Sequence, residues 1–226
     1  MTTSPASSAE PELIERVGAN LARVRERIAS VGRDPASVRV VAVTKTFGRA
    51  ELMAALEVGL RCFGENYVDE LCAKRAMTRD RNVSWHYLGV LQMNKLARAA
   101  TCADVLSGVA REKEIDKLAT RLERPALDIE VDFTGQPGRN GAPPEAVGAL
   151  VEHARELGLR VRGLMVVAPV GREAARDAFA RTTALADELG LAERSMGMSD
   201  DLEDACALGS TEVRVGRALF GPRPTR

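Results

Sequence analysis

Three short stretches carry residues able to do chemistry. Lys45 closes the apolar run Val40-Val41-Ala42-Val43-Thr44. An amine in apolar surroundings is penalised for its charge, so its pKa falls, and the neutral form can attack an aldehyde or ketone to give a Schiff base. The alternative at this point is a strand-end lysine that reaches water or pairs with a carboxylate. Further on, Ser195-Met196-Gly197-Met198-Ser199 runs into Asp200-Asp201-Leu202-Glu203. Ser199 reads as a helix N-cap beside free backbone N–H groups that could receive an anion; capping alone, with Asp200 and Asp201 complementing the helix dipole, is the plainer reading. In the third stretch, Gly209 to Gly221, strand alternation sets Val213 and Val215 on one face and Arg214 and Gly216 on the other, with Arg217 next. That second face combines a guanidinium with a glycine that lets a ligand approach the backbone. A buried arginine there needs an acceptor, from a carboxylate or from a ligand.

Polar residues also follow two other apolar runs. Phe63-Gly64-Glu65-Asn66-Tyr67 is one, and Trp85-His86-Tyr87-Leu88-Gly89, with Gln92, Asn94 and Lys95 beyond it, is the other. His86 reads as a hydrogen-bonded strand histidine rather than a general acid or base. With His86 and His153 the only histidines and no close cluster of His, Cys and carboxylate, a catalytic zinc site has little to draw on.

The elements that must position these residues alternate regularly. Candidate strands are Val38 to Thr44, Arg61 to Gly64, Ser84 to Gly89, Ala103 to Ser107, Ala126 to Phe133, Arg160 to Val167, Arg194 to Met198 and Glu212 to Val215. Helical stretches lie between them, such as Pro144 to Leu157 and Arg172 to Leu189. A repeat of about 25 residues predicts parallel strands joined by crossover helices, and eight repeats predict a closed α/β TIM barrel, (β/α)8, in a single domain. A doubly wound open sheet is the alternative, but the turn after the first strand reads Thr44-Lys45-Thr46-Phe47-Gly48, and no GxGxxG or Walker A sequence occurs. Ahead of the barrel, Ile14, Val17, Leu21, Val24 and Ile28 line one side of an extra helix from about Glu10 to Ser30. It is expected to pack on its own domain, with a partner-helix seam as the alternative.

Composition sets the outer bounds. The chain has 226 residues, 45% of them hydrophobic, enough for a sizeable core and against intrinsic disorder. Lys plus Arg and Asp plus Glu number 32 each, so no global charge draws the protein to nucleic acid or anionic lipid. Its apolar runs fall far short of the roughly 20 residues that span a bilayer. Met1 to Pro11 lacks the features of a secretory signal; residues 1–9 are expected to be a flexible tail and residues 10–226 the barrel domain. Cys62, Cys72, Cys102 and Cys206 form no CxxC pair, and four reduced thiols in a cytoplasmic protein are expected.

Taken in order, Val43-Thr44-Lys45-Thr46, Phe63 to Tyr67, Trp85 to Lys95, Arg162-Gly163-Leu164-Met165, Ser195 to Asp201 and Val213-Arg214-Val215-Gly216 resemble the YggS/PROSC family of pyridoxal 5′-phosphate (PLP) homeostasis proteins, over roughly residues 10 to 222. The resemblance implies a barrel like the N-terminal domain of bacterial alanine racemase, holding PLP as a Schiff base. On it, Lys45 matches the lysine that bonds the cofactor aldehyde and Ser199 the serine that binds its phosphate. Gly216 and Arg217 stand where backbone N–H groups meet that phosphate, Arg214 matches the arginine facing the pyridine nitrogen, and Asn66 lines the cofactor. An arginine there discourages protonation of the ring nitrogen and makes the ring a poorer electron sink. The chain departs from the family at Arg217, where Thr or Ser is usual, at Ser107 to Ala110, which lacks the usual Asp, and across Asp132 to Arg139.

The function expected on this resemblance is a cytoplasmic carrier or regulator of PLP without strong catalysis of its own, delivering to PLP-dependent apoenzymes and binding neither nucleic acid nor membrane. A monomer is expected, with a dimer through the first helix as the alternative. Two other activities stay open: an amino-acid racemase, which would need an acid/base opposite the lysine although only five residues follow Gly221, and a lyase using Lys45 on a sugar phosphate.

Overall fold

The computed structural model describes residues 10–222. The tail expected over residues 1–9 and the last four residues of the expected domain lie outside them. The strands are β1 (Arg39–Val43), β2 (Cys62–Glu65), β3 (Ser84–Tyr87), β4 (Val105–Val109), β5 (Ala126–Val131), β6 (Val161–Val166), β7 (Glu193–Ser195) and β8 (Glu212–Val215). The helices are α1 (Pro11–Ala29), α2 (Arg49–Glu57), α3 (Val68–Met77), α4 (Leu96–Cys102), α5 (Glu112–Ala119), α6 (Pro144–Glu156), α7 (Arg172–Glu188), α8 (Leu202–Ala207) and α9 (Arg217–Phe220). The strands close in sequence order into a parallel barrel, with β1 paired to β8 from Arg39↔Glu212 to Ala42↔Val215.

Helix α1 starts where Pro11 supplies a preset φ at its first position, with Glu12 in the first turn and Arg27 in the last to suit the dipole. Its buried stripe is Leu13, Val17, Leu21, Val24 and Ile28, so Leu13 takes the inward place expected for Ile14, which is partly buried. The stripe packs on α2, α8 and α9 of the same chain. Arg27 pairs with Glu203 at 2.5 Å, and Asn20 donates to the Leu219 carbonyl at 2.8 Å.

Side chains pointing into the barrel form a polar floor beneath an open mouth. Arg162 donates to both Asp128 oxygens at 2.8 Å and to both Glu212 oxygens at 3.0 and 3.1 Å. Ser107 donates to Asp128 and Ser195 to Glu212, each at 2.8 Å. Burial alone would lower the His86 pKa, but the Glu212 carboxylate and the hydrogen bonds to Cys62 and Glu212 outweigh it and push it to about 9. His86 is therefore a structural cation of the floor, bonded within the strand layer. Arg162 gets there through a β-bulge: Leu127 pairs with Val161 but Asp128 with Gly163. The extra residue shifts the alternation of β6, so Arg162 below and Met165 above both face the interior.

The expectation of four reduced cysteines needs correction. Cys72 and Cys102 are joined in a disulfide between α3 and the end of α4, and Cys62 and Cys206 are free. Thirty residues separate the pair in sequence, and the packing of α3 on α4 brings their Cα atoms to 5.2 Å. Among the described residues no helix is long and apolar enough to cross a membrane.

Candidate ligand site at the mouth of the barrel

Lys45 lies in a turn two residues past the end of β1, closed by the Phe47 N–H donating to the Thr44 carbonyl at 3.0 Å. The next residue, Thr46, has φ 69°, a left-handed value that is uncommon for a residue with a Cβ and persists where the surroundings impose it. Those surroundings come from β2 and α3. Lys74 donates to the Thr44 carbonyl at 2.7 Å and to Glu65 at 2.6 Å, and the Thr44 hydroxyl donates to the same Glu65 oxygen at 2.6 Å. On the other side of the lysine, the Thr46 N–H donates to Glu70 at 2.8 Å. Burial raises the Glu65 pKa, opposed by the charge and hydrogen bond of Lys74. The peptides on either side of Lys45 are thus both anchored.

The lysine borders a cavity of about 680 Å³ at the C-terminal ends of the strands, the face on which barrels of this kind carry their chemistry. Lys45, Asn66, Ser199, Arg214, Gly216 and Arg217 all line it. Val43, Phe47, Leu88, Met165, Val167 and Met198 supply apolar wall between them. Its volume falls in the range of pockets that enclose a small ligand.

Arg214 is buried at the back of the cavity. It donates to the Ser195 carbonyl at 2.5 Å, the Ser195 hydroxyl at 2.9 Å and the Val166 carbonyl at 2.7 Å. Each of these acceptors is neutral. Burial lowers its pKa, only partly opposed by the more distant charges of Glu212 and Glu130. Ser195 also donates to Glu212, so the hydroxyl links the arginine to the floor.

Ser199 does not cap α8, contrary to expectation. That helix starts at Leu202 with Asp201 at its N-cap, and Asp201 accepts from the Met198 N–H at 2.6 Å. Gly197 makes the difference: at φ 96° and with a Cβ position only 2.7 Å from the Ala205 methyl, it turns the chain before the helix begins. The Ser199 hydroxyl is directed instead to the Ala218 N–H, from which it accepts at 3.1 Å. Gly216 eases packing as well as access, since a Cβ there would lie 3.1 Å from the Val43 carbonyl oxygen and the strand would have to give by a few tenths of an ångström. Arg217 pairs at the rim with Asp200, so its guanidinium is held there.

The backbone of Asn66 is closely approached by Gly89, where a Cβ would lie 2.3 Å from the Asn66 carbonyl oxygen. The two loops that depart from the family turn to the scaffold. Gly108 packs against the Gly89 carbonyl, Asp132 accepts from Thr134 and Gly135 in its own turn, and Arg139 donates to the Val167 carbonyl at 2.7 Å. Lys74, Glu70 and Ser195 escaped the reading of the sequence. Lys74 alone carried a signal, as a charge four residues after Glu70 on a helix whose buried face is otherwise apolar.

Chemically, the cavity offers one amine, one buried guanidinium answered by neutral oxygens, and a hydroxyl beside backbone N–H groups. That set suits a ligand with a carbonyl at one end and an anion at the other.

Known proteins match this geometry along nearly the whole chain. The family model described as alanine racemase, N-terminal domain, matches residues 14–224. The pyridoxal phosphate homeostasis protein of Pseudomonas aeruginosa is 40% identical over 222 residues, covering 93% of this chain and 96% of that one. The protein of the same description from Escherichia coli K12 is 36% identical over 228 residues, covering 90% and 95%. Among solved structures, PipY of Synechococcus elongatus with PLP bound superposes with a TM-score of 0.79 at 34% identity, covering 91% of this chain and all of that one. Alanine racemase of Corynebacterium glutamicum shares the fold, with a TM-score of 0.70 at 17% identity, and this chain spans 62% of its length.

Proposed function

Because the chain belongs to the alanine racemase N-terminal domain family, and within it to the pyridoxal phosphate homeostasis proteins, we propose that it binds PLP at the barrel mouth and serves cellular PLP homeostasis. The observation that carries this reading is the convergence of Lys45, Arg214 and Ser199 on one cavity from three distant parts of the chain. PLP supplies an aldehyde able to bond an amine, on a ring whose phosphate makes the whole an anion. Lys45 provides the amine, held at a set height by the anchored peptides of Thr44 and Thr46. Ser199 and the backbone N–H groups of Gly216 and Arg217 receive the phosphate, and Arg214 faces the ring nitrogen. Its guanidinium donates hydrogen bonds and has no lone pair to accept one from a pyridinium N–H, so it keeps that nitrogen unprotonated.

The same cavity argues for holding rather than turnover. A racemase needs a second acid/base across the ligand from the lysine. Among the described lining residues there is no His, Cys or Tyr, and Asp200, the one carboxylate, is paired with Arg217 at the rim. Tyr67 and Tyr87 lie outside the lining, the latter donating to the Val90 carbonyl at 3.3 Å. Delivery to PLP-dependent apoenzymes in the cytoplasm belongs to the same reading.

The test is borohydride reduction of the protein loaded with PLP, followed by peptide mapping. The pyridoxyl group is expected on Lys45, and Lys45→Ala is expected to lose the absorbance of the bound cofactor. Labelling of another lysine, or none, overturns the assignment. Incubation with L-alanine is expected to yield no D-alanine at enzyme-like turnover; its appearance would establish the racemase instead.

A further inference from the structure

On the outside of the barrel, beside β3, α3 and the end of α4 border a second cleft, of about 310 Å³. Both residues of the Cys72–Cys102 disulfide line it, and both are partly exposed. Arg75, Arg79 and Arg81 line it too, and no carboxylate is among its lining residues. Arg75 is held next to the disulfide by Asp104 at 2.8 Å and by the Cys102 carbonyl at 3.3 Å. Arg79 and Arg81 project from an exposed segment. Trp85 and Thr78 make a rigid floor, joined by a hydrogen bond of 3.0 Å. The contrast with the cleft by α8 is one of charge: Asp200, Asp201, Glu203 and Asp204 line that one, against Arg172 alone.

A disulfide in a small cavity rich in cations has the two features that favour exchange with an anionic thiol. Guanidinium groups bind carboxylates, and positive charge stabilises both the attacking and the departing thiolate. The cavity is of small-molecule size. We propose that this cleft is a thiol–disulfide exchange site for a small thiol bearing carboxylates, with Arg79 and Arg81 as its carboxylate receptors.

The exchange balances in two steps. The thiolate of the small molecule attacks one cysteine sulfur, forming a mixed disulfide as the Cys72–Cys102 bond breaks, and the electron pair leaves on the other cysteine, which takes a proton from water. A second small thiolate then attacks the sulfur of the bound small molecule and displaces the protein cysteine, giving the symmetrical small-molecule disulfide and the second protein thiol, which takes a proton from water. Two small thiols are oxidised and one protein disulfide is reduced. Cys72 lies between Glu70 and Lys74 on α3, the residues that anchor the peptides flanking Lys45. The exchange site therefore sits on the helix that positions the cavity lysine.

The experiment compares glutathione with its diethyl ester, the same thiol with its carboxylates masked, on the full chain oxidised in air. Rates of Cys72 and Cys102 release are read by alkylation and peptide mass, each normalised to the rate of that thiol with an uncharged small disulfide. At low salt the free acid is expected to react about fivefold faster than the ester, and a mixed disulfide to be trapped at Cys72 or Cys102. In Arg79→Glu with Arg81→Glu, at exposed positions outside the core, the preference is expected to fall to about one. A native preference of one overturns the proposal, as does a preference that survives the double variant or alkylation of both cysteines before any reductant is added. The readout does not involve PLP, so its failure would leave the function proposed above intact.

Discussion

Two arginines lie inside the same barrel, Arg214 buried and Arg162 nearly so, and their surroundings pull them in opposite directions. Burial lowers the pKa of both, but for Arg162 the carboxylates of Asp128 and Glu212 outweigh it and the net shift is upward. For Arg214 burial wins and the net shift is downward. The difference lies in the acceptors: two carboxylates at the floor, two carbonyls and a hydroxyl at the mouth. A buried cation matched by its own carboxylates is part of the scaffold. A buried cation offered only neutral oxygens keeps its field for a ligand, and an anion is the ligand it favours.

The sharpest way to break that comparison is to remove each guanidinium in turn. Arg162→Met is expected to cost about 3–5 kcal/mol in denaturant unfolding, because it leaves Asp128 and Glu212 buried against each other without the cation. Arg214→Met is expected to cost less, about 1–3 kcal/mol, because it takes a donor from the Ser195 and Val166 carbonyls without leaving a carboxylate unmatched, while shifting the absorbance of bound PLP. Equal stability losses would erase the distinction between floor and mouth.

Next in size is the pH dependence of the floor. His86 rises from its ordinary 6.5 to about 9 on folding, so its contribution is complete below pH 6.5 and is lost as pH climbs through 9, roughly 3 kcal/mol in all. Glu212 shifts the other way, held well below 4.5 by the charge of His86 and its hydrogen bond, together with Arg162, against the cost of burial. Its contribution is present above 4.5 and is lost as pH falls. Urea midpoints between pH 6 and 10 are expected to decline at the alkaline end, and the decline is expected to vanish in His86→Gln.

The mouth offers the two smallest effects. Ser199→Ala is expected to weaken PLP retention about fivefold, the worth of one hydrogen bond of about 1 kcal/mol. Arg217→Ala is expected to change retention less than about twofold, because the exposed pair with Asp200 holds that guanidinium at the rim. A larger loss at Arg217 than at Ser199 would move the phosphate contact to the side chain that departs from the family.

Much of the barrel was legible along the chain. Glu212–Val215 is the strand expected to the residue, and the other seven differ from expectation only at their ends. Each is a short apolar run between helix signals, so local pattern and burial agree. The bulge at Arg162 was not legible, since the slip of one residue appears only when β5 is laid beside β6. Nor was the disulfide: Cys72 and Cys102 are 30 residues apart, and only helix packing makes them neighbours. Ser199 was found as a polar residue at a strand-to-helix junction, but its orientation depended on Gly197 and Ala205, which the linear text separates.

The order of strands and helices, the face on which Arg214 and Gly216 stand, and the position of Lys45 just past β1 were determined by the sequence itself, because periodicity is a property of neighbouring residues. Tertiary structure alone decided which charges are answered and by what. Electrostatic partnership inside a protein depends on atoms a few ångströms apart whose residues lie far apart in the chain. Arg162 at the floor and Arg214 at the mouth, alike as residues, owe their different roles to that.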